Sequence, residues 1–139
     1  VGAEGIVEAL ALVELGGATE TPQDDAKATY AKKIERGDAQ VVWSAPATDV
    51  ERLIRAFDPK PGAWTTRGDA EVRLFGARTV ASYHGTPGTI LTTDDDGMIV
   101  ACGQGAVRVQ DVHPADRKRQ RAAEWMRGRG AVVGDVLGT

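Results

Sequence analysis

The chain has 139 residues, with 17 Lys and Arg against 20 Asp and Glu, for a net charge of −3 and a pI near 5.4. That balance excludes a wholly basic nucleic-acid coat, although not a local basic patch, on which binding depends. A single cysteine, Cys102, excludes an internal disulfide and a cysteine metal site, and it fits a reducing compartment. No apolar run approaches the roughly 18 residues that span a membrane. Hydrophobic content of 42% is enough for one domain with a real core. The opening Val1-Gly2-Ala3-Glu4 has neither an initiator Met nor a basic signal region. A piece of a longer cytoplasmic protein, monomeric and with no membrane contact, is therefore expected.

The elements follow in chain order. Ala3 to Leu15 has an amphipathic pattern, with Ile6, Leu10 and Val13 on one stripe and Gly16-Gly17 as the stop. Little in the neighbouring sequence could cover that stripe. Ala18 to Ala39 is polar, carries Pro22 and reads as an extended linker in which only Tyr30 to Ile34 looks able to dock. A helix follows, with Thr48 and Glu51 at capping-box spacing and Val50, Leu53, Ile54 and Phe57 on one face. Asp58-Pro59-Lys60-Pro61 ends it, because proline cannot continue a helix interior, and Gly62 turns the chain.

Five short strands are expected at Ala63–Thr66, Glu71–Ala77, Thr89–Thr92, Met98–Cys102 and Ala106–Val112. Arg67-Gly68-Asp69, Pro87-Gly88, Asp96-Gly97 and Gly103-Gln104-Gly105 supply turns between them, Asp96-Gly97 being the clearest hairpin. A short helix from about Ala122 to Arg127 stops at Gly128. Five strands with small helices predict a mainly β fold, an OB-like five-stranded barrel over residues 41–139, after a terminal helix at 1–17 and a linker at 18–40.

The densest chemical feature is Arg117-Lys118-Arg119-Gln120-Arg121, followed by Arg127 and Arg129. Opposed only by Asp116 and Glu124, these cations would attract a phosphate backbone; the plainer alternative is a solvated loop and helix face. Lys32 and Lys33 could extend the patch. Trp43, Trp64 and Trp125 could stack on bases, but a chain with 5% aromatic residues has little else large to fill its core. Asp94-Asp95-Asp96-Gly97 lacks the spacing and closing Glu of a calcium loop. Gly103-Gln104-Gly105 has no following helix to receive a pyrophosphate. His84 and His113 lack metal-binding or catalytic company, and Ser44 and Ser82 lack a partner that would activate them. No catalytic, cofactor-binding or metal residue is read from this chain.

Five ordered blocks resemble methionyl-tRNA formyltransferases. They are Pro22–Ile34 (PQDDAKATYAKKI), Leu53–Thr65 (LIRAFDPKPGAWT) preceded by Trp43, Pro87–Leu91 (PGTIL), Gly97–Val109 (GMIVACGQGAVRV) and Arg117–Arg129. Two positions depart from the usual pattern: Arg121 stands where a small capping residue is common, and Lys60 where a bulkier or apolar one is. The resemblance implies a parent enzyme with a Rossmann-like catalytic domain, a linker and a C-terminal OB-like domain. Such an enzyme transfers a formyl group from 10-formyltetrahydrofolate to the amino group of initiator methionyl-tRNA. It further implies that this chain holds the last helix of the first domain, the linker and the whole second domain. The catalytic Asn, His and Asp and the folate loop would lie outside it. The formyl donor is then a co-substrate of the parent, not a ligand of this piece. The residues expected to meet tRNA are Lys32, Lys33, Arg117, Lys118, Arg119, Arg121, Arg127 and Arg129. Two other readings stay open: the accessory domain of a related formyltransferase or formyltetrahydrofolate hydrolase, and a stand-alone OB-like nucleic-acid-binding module.

Overall fold

The structure, a computed structural model, describes residues 1–138. They fall into two units, Val1–Lys33 and the chain from Ile34 onward; the division lies inside the stretch expected to be linker.

In the first unit, α1 (Gly2–Glu14) buries none of its residues. The stripe of Ile6, Leu10 and Val13 is 64% exposed at each position. A single 3-10 turn, Asp25–Lys27, is held by the Asp24 carboxylate, which accepts from the Ala26 N–H. No helix among the described residues is long and apolar enough to cross a membrane.

The second unit begins with a 3-10 turn at Arg36–Ala39 and then α2 (Ala47–Ala56). The sheet consists of β1 (Ala63–Arg67), β2 (Ala70–Val80), β3 (Ile90–Asp94), β4 (Gly97–Ala101), β5 (Ala106–Pro114) and the two-residue β6 (Gln120–Arg121), before α3 (Ala122–Arg127). All pairings are antiparallel in the order β1-β2-β5-β4-β3, with β6 added to β5. The expected strands are all present, several of them longer than their apolar runs. The mainly β fold with short helices is as expected, except that the barrel is not closed: β1 and β3 are the two ends of the order and share no ladder. The C-terminal segment bridges them instead. Gly134 and Leu137 donate to Ile90 and Gly88 beside β3, the Ile90 N–H donates to Asp135, and the Gly138 N–H reaches Thr66 of β1 at 2.8 Å. These bonds cover part of each open edge without a strand, which lessens the liability of a bare sheet edge.

The core lies between the sheet, α2 and α3. Val50 and Ile54 of α2, Leu74, Ile90, Met98, Val107 and Val109 of the strands, and Trp125 and Leu137 are all buried in it. Each such aliphatic side chain contributes roughly 1.5–3 kcal/mol by leaving water. Trp43 also packs here, its indole N–H donating to the buried Thr65 hydroxyl at 2.9 Å. Leu53 and Phe57 are only partly buried at its edge.

The capping box at Thr48 and Glu51 does not form. α2 starts two residues early behind Pro46, without a side-chain cap. A tertiary partner replaces it, because the Ala47 N–H donates to the Gln104 carbonyl at 2.9 Å. Gly103-Gln104-Gly105 is thus a docking turn for the start of the helix. A Cβ on Gly103 would stand 1.9 Å from the Ser44 carbonyl oxygen, so only glycine allows that approach. Glu51, released from capping, accepts from the Thr79 N–H of β2 at 3.0 Å.

Candidate nucleic-acid interface

The basic run sits where β5 turns back through β6 into α3, and the fold divides its cations into two sets. Arg119 is committed. Its terminal nitrogen lies 2.8 Å and its Nε 3.1 Å from one Asp111 oxygen, another terminal nitrogen lies 3.6 Å from Asp58, and the guanidinium covers the Phe75 ring at 4.2 Å. Phe75 is buried yet stands apart from the main core cluster, so Arg119 acts as its lid. Asp58, in the double-proline turn, also accepts from the Gly76 N–H of β2 at 3.3 Å. One arginine therefore ties together the exit of α2, strand β2 and strand β5. Arg121 lies 3.7 Å from the other Asp111 oxygen and occupies the N-cap of α3 without making a side-chain cap bond.

Arg117, Lys118 and Arg129 form the other set. All three are exposed, and none makes a side-chain hydrogen bond or ion pair among the described residues. Arg127 is exposed too, its Nε lying 3.4 Å from the Ala123 carbonyl of its own helix. Lys32 and Lys33 belong to the first unit, so the basic surface of the second is built without them.

Arg117 and Arg129 meet at a concavity of about 260 Å³ whose wall also includes Arg67, Asp116, Pro114 and Trp125. Arg67 closes β1 and was visible in the sequence only as part of a turn; no periodicity or spacing flags it as a site residue. Its Nε donates to Asp135 at 2.7 Å, and this bond, with a second from the Val132 N–H, holds the Asp135 carboxyl below the usual carboxylate range.

Arg129 reaches the concavity by an unusual route. α3 ends in a Schellman motif, with the Gly130 N–H bonded to the Trp125 carbonyl and the Arg129 N–H to that of Met126. The residue in the left-handed position of that motif is ordinarily glycine. Here it is Arg129, at φ +57°, with glycine on either side. The conformation costs a non-glycine residue about 1 kcal/mol. Gly130 is not interchangeable with it, since a Cβ there would lie 2.0 Å from the Trp125 ring. Trp125, packed under Gly130 and buried, is a core residue and not a stacking platform.

A second groove of about 310 Å³ lies between the Arg36 turn and the start of β1. Trp64 forms its floor, with the Arg36 guanidinium 5.1 Å from the ring centroid and Glu71 bonded to both Arg36 and Arg73. Its two carboxylates, Glu35 and Glu71, offset the arginines, so it is a poor phosphate surface.

Residues 33–130 match the family described as formyl transferase, C-terminal domain. The chain belongs to that family. It is 41% identical over 133 residues to a methionyl-tRNA formyltransferase of Magnetococcus marinus, covering 96% of this chain and 42% of the relative. It is 39% identical over 140 residues to the methionyl-tRNA formyltransferase of Roseiflexus castenholzii, covering 99% and 44%. The chain thus spans about two-fifths of the length of these curated relatives. Among solved structures, a variant of HypX from Aquifex aeolicus superposes with a TM-score of 0.73 at 26% identity, over 95% of this chain and 24% of that one. HypX in complex with tetrahydrofolic acid gives 0.69 at 27% identity, over 88% and 22%. The fold and the ordered sequence blocks of this formyl transferase C-terminal domain therefore agree.

Proposed function

We propose that this chain is the C-terminal part of a methionyl-tRNA formyltransferase and helps to hold the initiator methionyl-tRNA while the rest of the enzyme transfers the formyl group. The observation that carries the reading is the similarity to methionyl-tRNA formyltransferases along nearly the whole chain, linker included. The free cations at the β5–α3 corner support it, because phosphate contacts fix orientation without reading sequence. The formyl donor, 10-formyltetrahydrofolate, would be held by residues outside this chain, and α1 would pack against that missing part. The protein would work in the cytoplasm, as a monomer.

The test is a graft. The matching region of the Magnetococcus marinus relative is deleted and then replaced by this chain. Deletion should raise KM for initiator methionyl-tRNA far more than it lowers kcat, and the graft should restore KM. A graft that folds but leaves KM at the deleted value would overturn the reading. The HypX likeness supports a second reading, an accessory domain of a related formyl-transferring enzyme. Under that reading the graft would leave the KM for tRNA uncorrected.

A further inference from the structure

We infer that the concavity walled by Arg67, Arg117 and Arg129 is a built anion cradle that takes one phosphodiester group of the bound nucleic acid. The inference rests on the proposed tRNA-binding reading and identifies which of the many cations does the work. Its three guanidinium groups come from the end of β1, the β5–β6 turn and the second residue after α3, segments that the fold brings to one wall. Asp116 shares that wall and Asp135 takes the Nε of Arg67, so the local balance is three cations to two carboxylates. The margin is small. A group that displaces water here needs the two uncommitted arginines, Arg117 and Arg129, whose planar donors suit phosphate oxygens.

The backbone supplies the independent argument. In a Gly-Arg-Gly sequence, the arginine occupies the left-handed position that glycine would fill without strain. A residue of the fold alone would be glycine there. An arginine held against its backbone preference, with no partner for its side chain among the described residues, is in place for its charge. Other clusters do not match this. Arg36 and Arg73 are held by Glu71, and Arg119 and Arg121 by Asp111.

The test uses this chain, inorganic phosphate and tRNA, read by NMR at the Trp125 indole and the Gly130 amide, with melting and salt titrations alongside. Phosphate should shift both resonances saturably, and Arg129→Gly and Arg117→Gln should each abolish the shift. Arg129→Gly should melt no lower than the parent chain, yet bind tRNA roughly fivefold more weakly with a log–log salt slope shallower by about one. A lower melting temperature with unchanged tRNA affinity would mean a structural role only. Loss of the phosphate response in neither variant would also overturn the cradle. If phosphate binds as described and tRNA binds the chain but leaves both resonances unmoved, the cradle does not take a tRNA phosphate and the inference falls. If tRNA does not bind the chain at all, it is the tRNA reading that falls.

Discussion

Arg117 and Arg119 are two residues apart, identical in type and equally conspicuous in the sequence, but the fold uses them in opposite ways. Arg119 is drawn onto the sheet by Asp111, Asp58 and the Phe75 ring, while Arg117 stays in solvent at the rim of a concavity. What separates them is the β6 pairing. Val112 faces Gln120 and Asp111 faces Arg121 in the ladder, which fixes residues 119–121 over β5 and leaves 117 and 118 in the preceding turn. A basic run is therefore not one binding surface. Part of it fastens the structure and part remains available for a partner.

That contrast can be broken from either side. The largest effect is expected from replacing Arg117, Lys118 and Arg129 together by Gln. Affinity for tRNA should fall roughly a hundredfold at low salt, with a log–log slope near −3 moving toward zero and the melting temperature little changed. Isothermal titration across a salt series reads both quantities. The complementary variant, Arg119→Met, keeps the stem that covers Phe75 but takes one cationic partner from each of Asp111 and Asp58. It should destabilise the domain by about 1–2 kcal/mol in urea and leave the salt slope near that of the parent chain. If Arg119→Met flattened the slope as strongly as the triple variant, the division between fastened and free cations would be wrong.

How far the sequence discloses this depends on the range of each interaction. The hairpin at Asp94 to Gly97 was legible because its cause is local: the Asp94 carboxylate accepts from the Asp96 and Gly97 N–H groups. The capping box was legible and wrong, since Gln104, far along the chain, supplies what Thr48 was expected to give. Period alone could not separate α1 from α2. Both carry an apolar stripe, but Val50 and Ile54 are buried against a sheet within their own unit while Ile6 and Leu10 stay exposed in theirs. That the barrel stays open has a related reason: no apolar pattern announces that residues 134–138 bridge its edges by main-chain bonds, with Leu137 buried in the core. Of the cradle, Arg117 and Arg129 were visible as charge and Arg67 was not. Its place beside them is set by the β1–β2 turn and the C-terminal segment, which only the fold brings together.

The smallest expected effect turns a fastened cation into a free one. Asp135 holds Arg67 and also accepts from the Val132 N–H, so Asp135→Asn should cost about 1 kcal/mol of stability at neutral pH. The sign of the pH dependence follows from the depressed carboxyl. Because its folded pKa lies below the unfolded value, the stabilisation is complete above the ordinary carboxylate range. It is lost as pH falls below about 4, through the folded pKa. In the Asn variant this segment of the acid profile should flatten, which urea melts at pH 3 to 6 would detect. Removing the carboxylate also leaves the wall of the concavity more positive by one charge. Affinity for tRNA should then rise slightly at low salt, by about twofold, while stability falls. A loss of affinity in step with stability would place Arg67 on the structural side of the comparison, with Arg119, and confine the cradle to Arg117 and Arg129.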